Sequence, residues 1–69
     1  MPEARYVRVV NDLRHKIETG YYGKGQWLPS RAALRKEYEV SLSVVDRAMF
    51  ILRTEGLTET VPGVGVYVK

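Results

Sequence analysis

Sixty-nine residues confine the chain to one domain, 1–69, and a chain of this size buries only about 60% of the surface its unfolded form exposes, so the core has to be compact. Hydrophobic residues at 45% and charged residues at 28% exclude a disordered chain, and the lack of cysteine excludes a disulfide framework and a thiolate metal site. The net charge of +3 and the pI near 9.5 suit a polyanionic partner without requiring one; no run approaches the roughly 18 apolar residues of a membrane span, so the expectation is a cytoplasmic protein with no membrane contact.

The first element is a helix, because Tyr6, Val9, Val10, Leu13 and Ile17 follow the three-and-four spacing that lines one helical face. Gly20 ends it. The stretch "GYYGKGQW" holds three glycines in eight residues and predicts turns, and "QWLP" offers a short extended piece before Pro29. Ser30 is placed as the N-cap of a second helix running to about Tyr38, with Ala33, Leu34 and Tyr38 facing inward. After the tight Glu39-Val40 connection, Ser41 caps a third helix from Leu42 to about Glu55. Ser43 and Asp46 also have capping-box spacing, which leaves open a start two residues later. Val45, Ala48, Met49 and Leu52 form the buried stripe of this helix, and Gly56 suits the left-handed residue that closes it. "LTETV", Pro62-Gly63 and "VGVYV" then read as a hairpin. Two helices joined by so brief a turn suggest helix-turn-helix, and the whole order predicts an α+β winged helix-turn-helix: three helices plus a C-terminal β-hairpin wing.

At this point the chain resembles the N-terminal DNA-binding domain of the GntR family of bacterial transcriptional regulators, from about Tyr6 to Val68. The marks are Tyr6, Leu13-Arg14, Ile17, Gly20, Gly25, "LPS" at 28 to 30, Leu34, Glu37-Tyr38 and "VS" at 40 and 41. Val45, Ala48, Leu52, "EGL" at 55 to 57 and "GVGVYV" at 63 to 68 complete them. The resemblance implies a transcriptional regulator whose third helix, 42–55, enters the major groove of double-stranded DNA while the wing at 62–66 touches the backbone or minor groove. It also implies arginine at the positions held here by Leu42, Asp46 and Ala32, threonine at Val44, and basic or histidine side chains at Val64. Regulators of this family commonly carry a second, ligand-binding and dimerising domain after the wing. The sequence leaves open whether this domain stands alone, and a homodimer on a palindromic site is the economical arrangement if it does.

The residues themselves support a basic face. Ser41, Leu42, Ser43, Asp46 and Arg47 lie on the first turns of the third helix, off its buried stripe, and should face outward. Ser30 and Ser41 leave helix amides for phosphate, Arg31, Arg35, Lys36 and Arg47 supply cations, Leu42 and Ser43 meet base edges, and Val64 and Gly65 belong to the wing. Any one of these cations is explained as a solvated charge on an amphipathic helix; as a cluster beside a helix-turn-helix they favour DNA. Asp46 repels phosphate unless it accepts a proton from cytosine N4 or pairs with a neighbouring cation.

A rival reading is a protein-interaction module with an apolar patch of Leu42, Val44 and Phe50, because one helix side cannot bury all of 48 to 52. Phe50 and Ile51 are the residues in question. Trp27, Tyr21 and Tyr22 are read as plugging the space between the first helix and the sheet, and Gly65 with Gly63 as allowing the wing turn or a close approach to a minor groove. His15 has no second ligand in sequence, and neither a phosphate loop nor a serine–histidine pair is present. No cofactor, metal site or enzymatic activity is expected.

Overall fold

The computed structural model describes residues 4–69. Three helices, α1 (Arg5–Glu18), α2 (Arg31–Tyr38) and α3 (Leu42–Thr54), precede an antiparallel hairpin of β1 (Thr58–Val61) and β2 (Gly65–Val68). The predicted order is therefore the observed one, with helix boundaries within a residue or so of expectation.

Local chemistry sets those boundaries. Ser30 Oγ accepts from the Ala33 amide at 3.1 Å and Ser41 Oγ from the Val44 amide at 3.4 Å, so each serine satisfies an otherwise free donor at a helix start. Ser41 thereby settles the start of α3 at Leu42. At its end Gly56, with φ 80°, donates to Arg53 O and Leu57 donates to Leu52 O. These two reversed bonds close the last turn, and the left-handed residue between them is cheap only for glycine. Glu39 closes α2 in the same left-handed region, at φ 55°, without that freedom.

The core lies between α1, α3 and the hairpin. Val9, Val10 and Leu13 of α1 meet Val45, Ala48 and Leu52 of α3, with Leu34, Val40, Tyr22, Leu28 and Val68 closing the space. Met49, Val44, Ile51 and Tyr38 pack on its margin, half-buried. Ala33, expected inward, is exposed: it lies a quarter-turn or more from the inner line of Leu34 and Tyr38, which are four residues apart and stack on one face. Of the three aromatics expected to plug the space beside the first helix only Tyr22 is buried, while Tyr21 and Trp27 are 67% and 50% exposed.

The "QWLP" segment does more than extend. Trp27 bridges to Tyr67, Leu28 N donates to Val66 O (2.8 Å) and Val68 N to Gln26 O (3.0 Å), so residues 26–28 pair along the free edge of β2. Trp27 and Tyr67 rings meet edge to face at 5.5 Å. That pairing covers a strand edge and ties the segment before α2 to the wing.

Polar links fix α1 against the helix-turn-helix. Arg14 forks onto Glu55, Nε to Oε1 at 3.0 Å and Nη2 to Oε2 at 2.5 Å, joining α1 to the end of α3. The hydrogen bond holds the Glu55 carboxyl below its ordinary range and the Arg14 guanidinium above its own. Arg8 Nη2 donates to Tyr38 O (2.9 Å), capping the C-terminus of α2. Tyr38 donates its hydroxyl to Asp12, which also faces Lys16 at 3.3 Å; Lys16 reaches Glu37 of α2 at 3.5 Å. That hydroxyl, more than Lys16, lowers the Asp12 carboxyl, while burial and then Asp12 raise the Tyr38 phenol. For Lys16, burial opposes the charge but Tyr38, Asp12 and Glu37 together raise it.

Candidate nucleic-acid interface

The first turns of α3 present a free side. Ser41, Leu42, Ser43, Asp46 and Arg47 are all exposed, whereas Val45 among them and Ala48 after them are buried. That alternation is what a helix period of 3.6 requires when one stripe is pinned to a core. Ser41 Oγ and Ser43 Oγ lie 3.0 Å apart, so the N-terminal end of the helix carries a small hydroxyl pair. Leu42 beside them is 41% exposed.

Asp46 has a partner. Arg31, the first residue of α2, donates Nε to Asp46 Oδ1 at 2.6 Å and Nη2 to Oδ2 at 2.7 Å. Of the conditions under which Asp46 could sit near phosphate, the structure meets one, pairing with a neighbouring cation. The hydrogen bond that Arg31 donates to Asp46 also raises its guanidinium above the ordinary value. Arg47, by contrast, turns toward α1: its guanidinium carbon stands 4.5 Å from the Tyr6 ring centroid. Arg53, nearly two turns further along, lies over Phe50 of the same helix at 5.4 Å.

Arg35 and Lys36 occupy the last turn of α2, both exposed, and Arg35 O accepts from Val40 N at 3.1 Å across the tight turn. Arg35 follows Arg31 by four residues and so shares its side of the helix, while Lys36 lies a further 100° round. Ser30 is exposed at the other end of α2.

The wing is a tight hairpin. Val64 N donates to Val61 O at 3.0 Å across Pro62 and Gly63, and Gly63 takes φ 75°. Proline followed by a positive-φ glycine is the sequence demand of such a turn. Val64 projects from its tip, 69% exposed. Gly65, at φ 157°, lies beside the Trp27 ring, where an added Cβ would make an ordinary van der Waals contact at 3.5 Å.

Between α3, the start of α2 and the wing opens a cleft of about 710 Å³, lined by Trp27, Arg31, Asp46, Phe50, Arg53 and the 60–66 segment among others. Of the apolar patch considered from sequence, Leu42 and Phe50 are exposed, Phe50 by 58%, but Val44 and Ile51 pack on the core and do not join it. The patch is therefore split. Sequence reasoning missed the two ends of the guanidinium network, Tyr6 under Arg47 and Arg31 on Asp46. The only sequence signal for the second was an unpaired-looking acid on a basic face. Among the described residues no three His, Cys, Asp or Glu side chains gather as metal ligands, and no helix is long and apolar enough to cross a membrane.

A model of the gntR family of bacterial regulatory proteins matches residues 5–68. The Exu regulon transcriptional regulator of Escherichia coli K12 is 36% identical over 67 residues, covering 97% of this chain and 26% of the relative. The Uxu operon regulator of Haemophilus influenzae is 36% identical over 91% of this chain and 24% of its own length. The chain thus spans about a quarter of the length of these two relatives. Among solved structures, the DNA-binding domain of AraR in complex with operator ORE1 superposes with a TM-score of 0.97 at 25% identity, over 100% of this chain and 84% of that one. A GntR family transcriptional regulator from Listeria monocytogenes gives a TM-score of 0.93 at 30% identity, over 97% and 59%.

Proposed function

Because this chain belongs to the gntR family of bacterial regulatory proteins and has its winged helix-turn-helix fold, we propose that it binds a specific double-stranded operator and acts in transcriptional regulation. The first turns of α3 enter the major groove, and the 62–66 wing lies on the backbone or minor groove. The observation that carries this reading is the free side of α3, with residues 41, 42, 43, 46 and 47 exposed, on a backbone that matches a domain solved on its operator.

The physics agrees with that placement. Thirteen residues of α3 make a rod of about 20 Å, and an α-helix fits a major groove about 12 Å wide. The helix starts at Ser30 and Ser41 turn free amides toward an approaching phosphate, and Arg35 and Lys36, which enter no salt bridge among the described residues, add positive charge near the tight turn. Leu42 and Ser43 are placed for base edges, the leucine for a thymine methyl. Two copies on a palindromic site suit a module whose single interface is small.

Selection from a random duplex pool tests the reading: it should recover a shared motif, with half-sites about 10 base pairs apart where two copies bind. No enrichment at low salt would overturn it. A second reading, a polypeptide partner seated on Leu42, Phe50 and Val64, is favoured only by their exposure at the cleft and wing. It predicts binding that is insensitive to salt and lost in Leu42→Asp, whereas DNA binding weakens steeply as salt rises.

A further inference from the structure

We propose that Asp46 and Arg31 act as one base-reading unit: the carboxylate on α3 holds the guanidinium of α2 over the groove-facing side, so that its free edge selects a guanine in the operator. The proposal rests on the DNA-binding reading above and adds to it the residue that discriminates and the base it prefers.

The geometry supplies the argument. A guanidinium has five N–H donors, and here the Nε hydrogen and one on Nη2 are taken by the two Asp46 oxygens, at 2.6 and 2.7 Å. Among the described residues no side chain or backbone group takes the Nη1 hydrogens or the second on Nη2. The Nη1–Nη2 edge therefore keeps a two-pronged fork, the shape that meets guanine O6 and N7 together. The pair is open to an incoming ligand, with side-chain exposures of 60% for Arg31 and 50% for Asp46. It stands at the cleft between α3 and the wing.

Other cations on α3 are committed elsewhere. Arg47 stacks on Tyr6 of α1, and Arg53 lies over Phe50 in the last turn. Arg31 is the guanidinium that the fold fixes onto the first half of α3. An exposed ion pair adds little to folding stability, so two-point fixation of a flexible side chain matters chiefly by orienting it before the ligand arrives. Asp46 is then a positioning residue: it touches no base but sets the plane of the group that does.

Three variants of the whole chain test this. Arg31→Lys keeps the charge and loses the fork, Asp46→Ala keeps the fork and frees it, and the swap of Arg31→Asp with Asp46→Arg restores a held guanidinium from the opposite helix. Each is titrated by fluorescence anisotropy against the duplex selected by the wild type, against versions with each guanine replaced in turn, and against non-specific duplex. For the wild type, replacing one guanine per half-site should weaken binding by about tenfold to a hundredfold. Arg31→Lys and Asp46→Ala should bind that duplex and its replacement nearly alike, Asp46→Ala should bind non-specific duplex more tightly, and the swap should regain the discrimination. A selected motif without guanine overturns the proposal, as do single variants that discriminate like the wild type or that lose specific and non-specific binding equally. A wild-type chain that enriches no sequence fails earlier and overturns the DNA-binding reading itself.

Discussion

Replacing Arg35 and Lys36 together by glutamine should change how binding responds to salt, by an amount that can be worked out beforehand. Both side chains are exposed on the last turn of α2, and among the described residues neither enters a salt bridge, in contrast to Arg14, Lys16, Arg31 and Lys69. If each neutralises one phosphate, the double variant removes two contacts, and the slope of log affinity against log salt becomes shallower by about 1.8. Between 50 and 200 mM salt, the affinity ratio of wild type to variant should then shrink by about twelvefold for one bound copy, and by about 150-fold for two. Fluorescence anisotropy at four or five salt concentrations measures it. Lys69→Gln is the control, because Lys69 pairs with Glu59 at 3.6 Å at the open end of the hairpin, away from the 62–64 turn, and should leave the slope unchanged. Both cations also favour the C-terminal end of the α2 dipole, so thermal melts accompany the titrations to show that the variant is folded. A folded double variant whose slope moves by less than about 0.5 would refute the assignment of these residues to phosphate, since even one lost contact shifts it by about 0.9.

Three further expectations concern the scaffold that holds this face. Thr58 is 1% exposed and its Oγ1 has no hydrogen-bond partner among the described residues, so the nearly isosteric Thr58→Val should stabilise the domain by about 1 kcal/mol; a urea midpoint that is unchanged or lower contradicts this. Glu39 closes α2 at φ 55°, ψ 49°, and Glu39→Gly should stabilise by about 0.5 to 1 kcal/mol in the same assay, relief of backbone strain outweighing the extra freedom of the unfolded glycine. The carboxyls of Asp12 and Glu55 are both lowered in the fold, by Tyr38 and by Arg14 respectively, from ordinary values of 3.8 and 4.5. Their contribution is present above those unfolded values and is lost as pH falls through the folded ones, so melting temperature should drop below about pH 4, less steeply in Asp12→Asn; an acid limb unchanged by that substitution refutes the attribution.

The fold was legible where its signals are local. Ser30 and Ser41 cap α2 and α3, Gly56 closes α3, and Pro62-Gly63 turns the hairpin, because each of these needs only its immediate neighbours. What the sequence did not display is non-local. The pairing of 26–28 with β2 depends on a strand forty residues away, and no periodicity in "QWLP" announces it. Ala33 is an inward candidate by sequence, yet on an eight-residue helix the inner line belongs to Leu34 and Tyr38. Tyr21 and Tyr22 are adjacent in a turn and meet edge to face at 5.0 Å, with Tyr22 buried in the core and Tyr21 outside it.

The candidate face shows the same division, with a consequence for how it is read. Its exposed positions follow from helical period, since Val45, Ala48 and Leu52 fix the inner stripe and leave 42, 43, 46 and 47 outside. Its charge distribution does not follow, because a guanidinium stands about three to five bonds beyond Cβ and reaches partners that sequence separates. Arg47, the cation nearest the start of α3, spends its reach on Tyr6, and Arg31, fifteen residues before Asp46, supplies the guanidinium at that helix instead. Counting basic residues along α3 therefore omits the guanidinium that α2 contributes there. The face is built by two helices at once, so an Asp46 substitution should be judged by what it does to Arg31. An acid at position 46 that merely repelled phosphate would make Asp46→Ala a gain for every duplex alike; one that orients a base-reading arginine makes the same substitution a gain for arbitrary DNA and a loss of discrimination at one base pair.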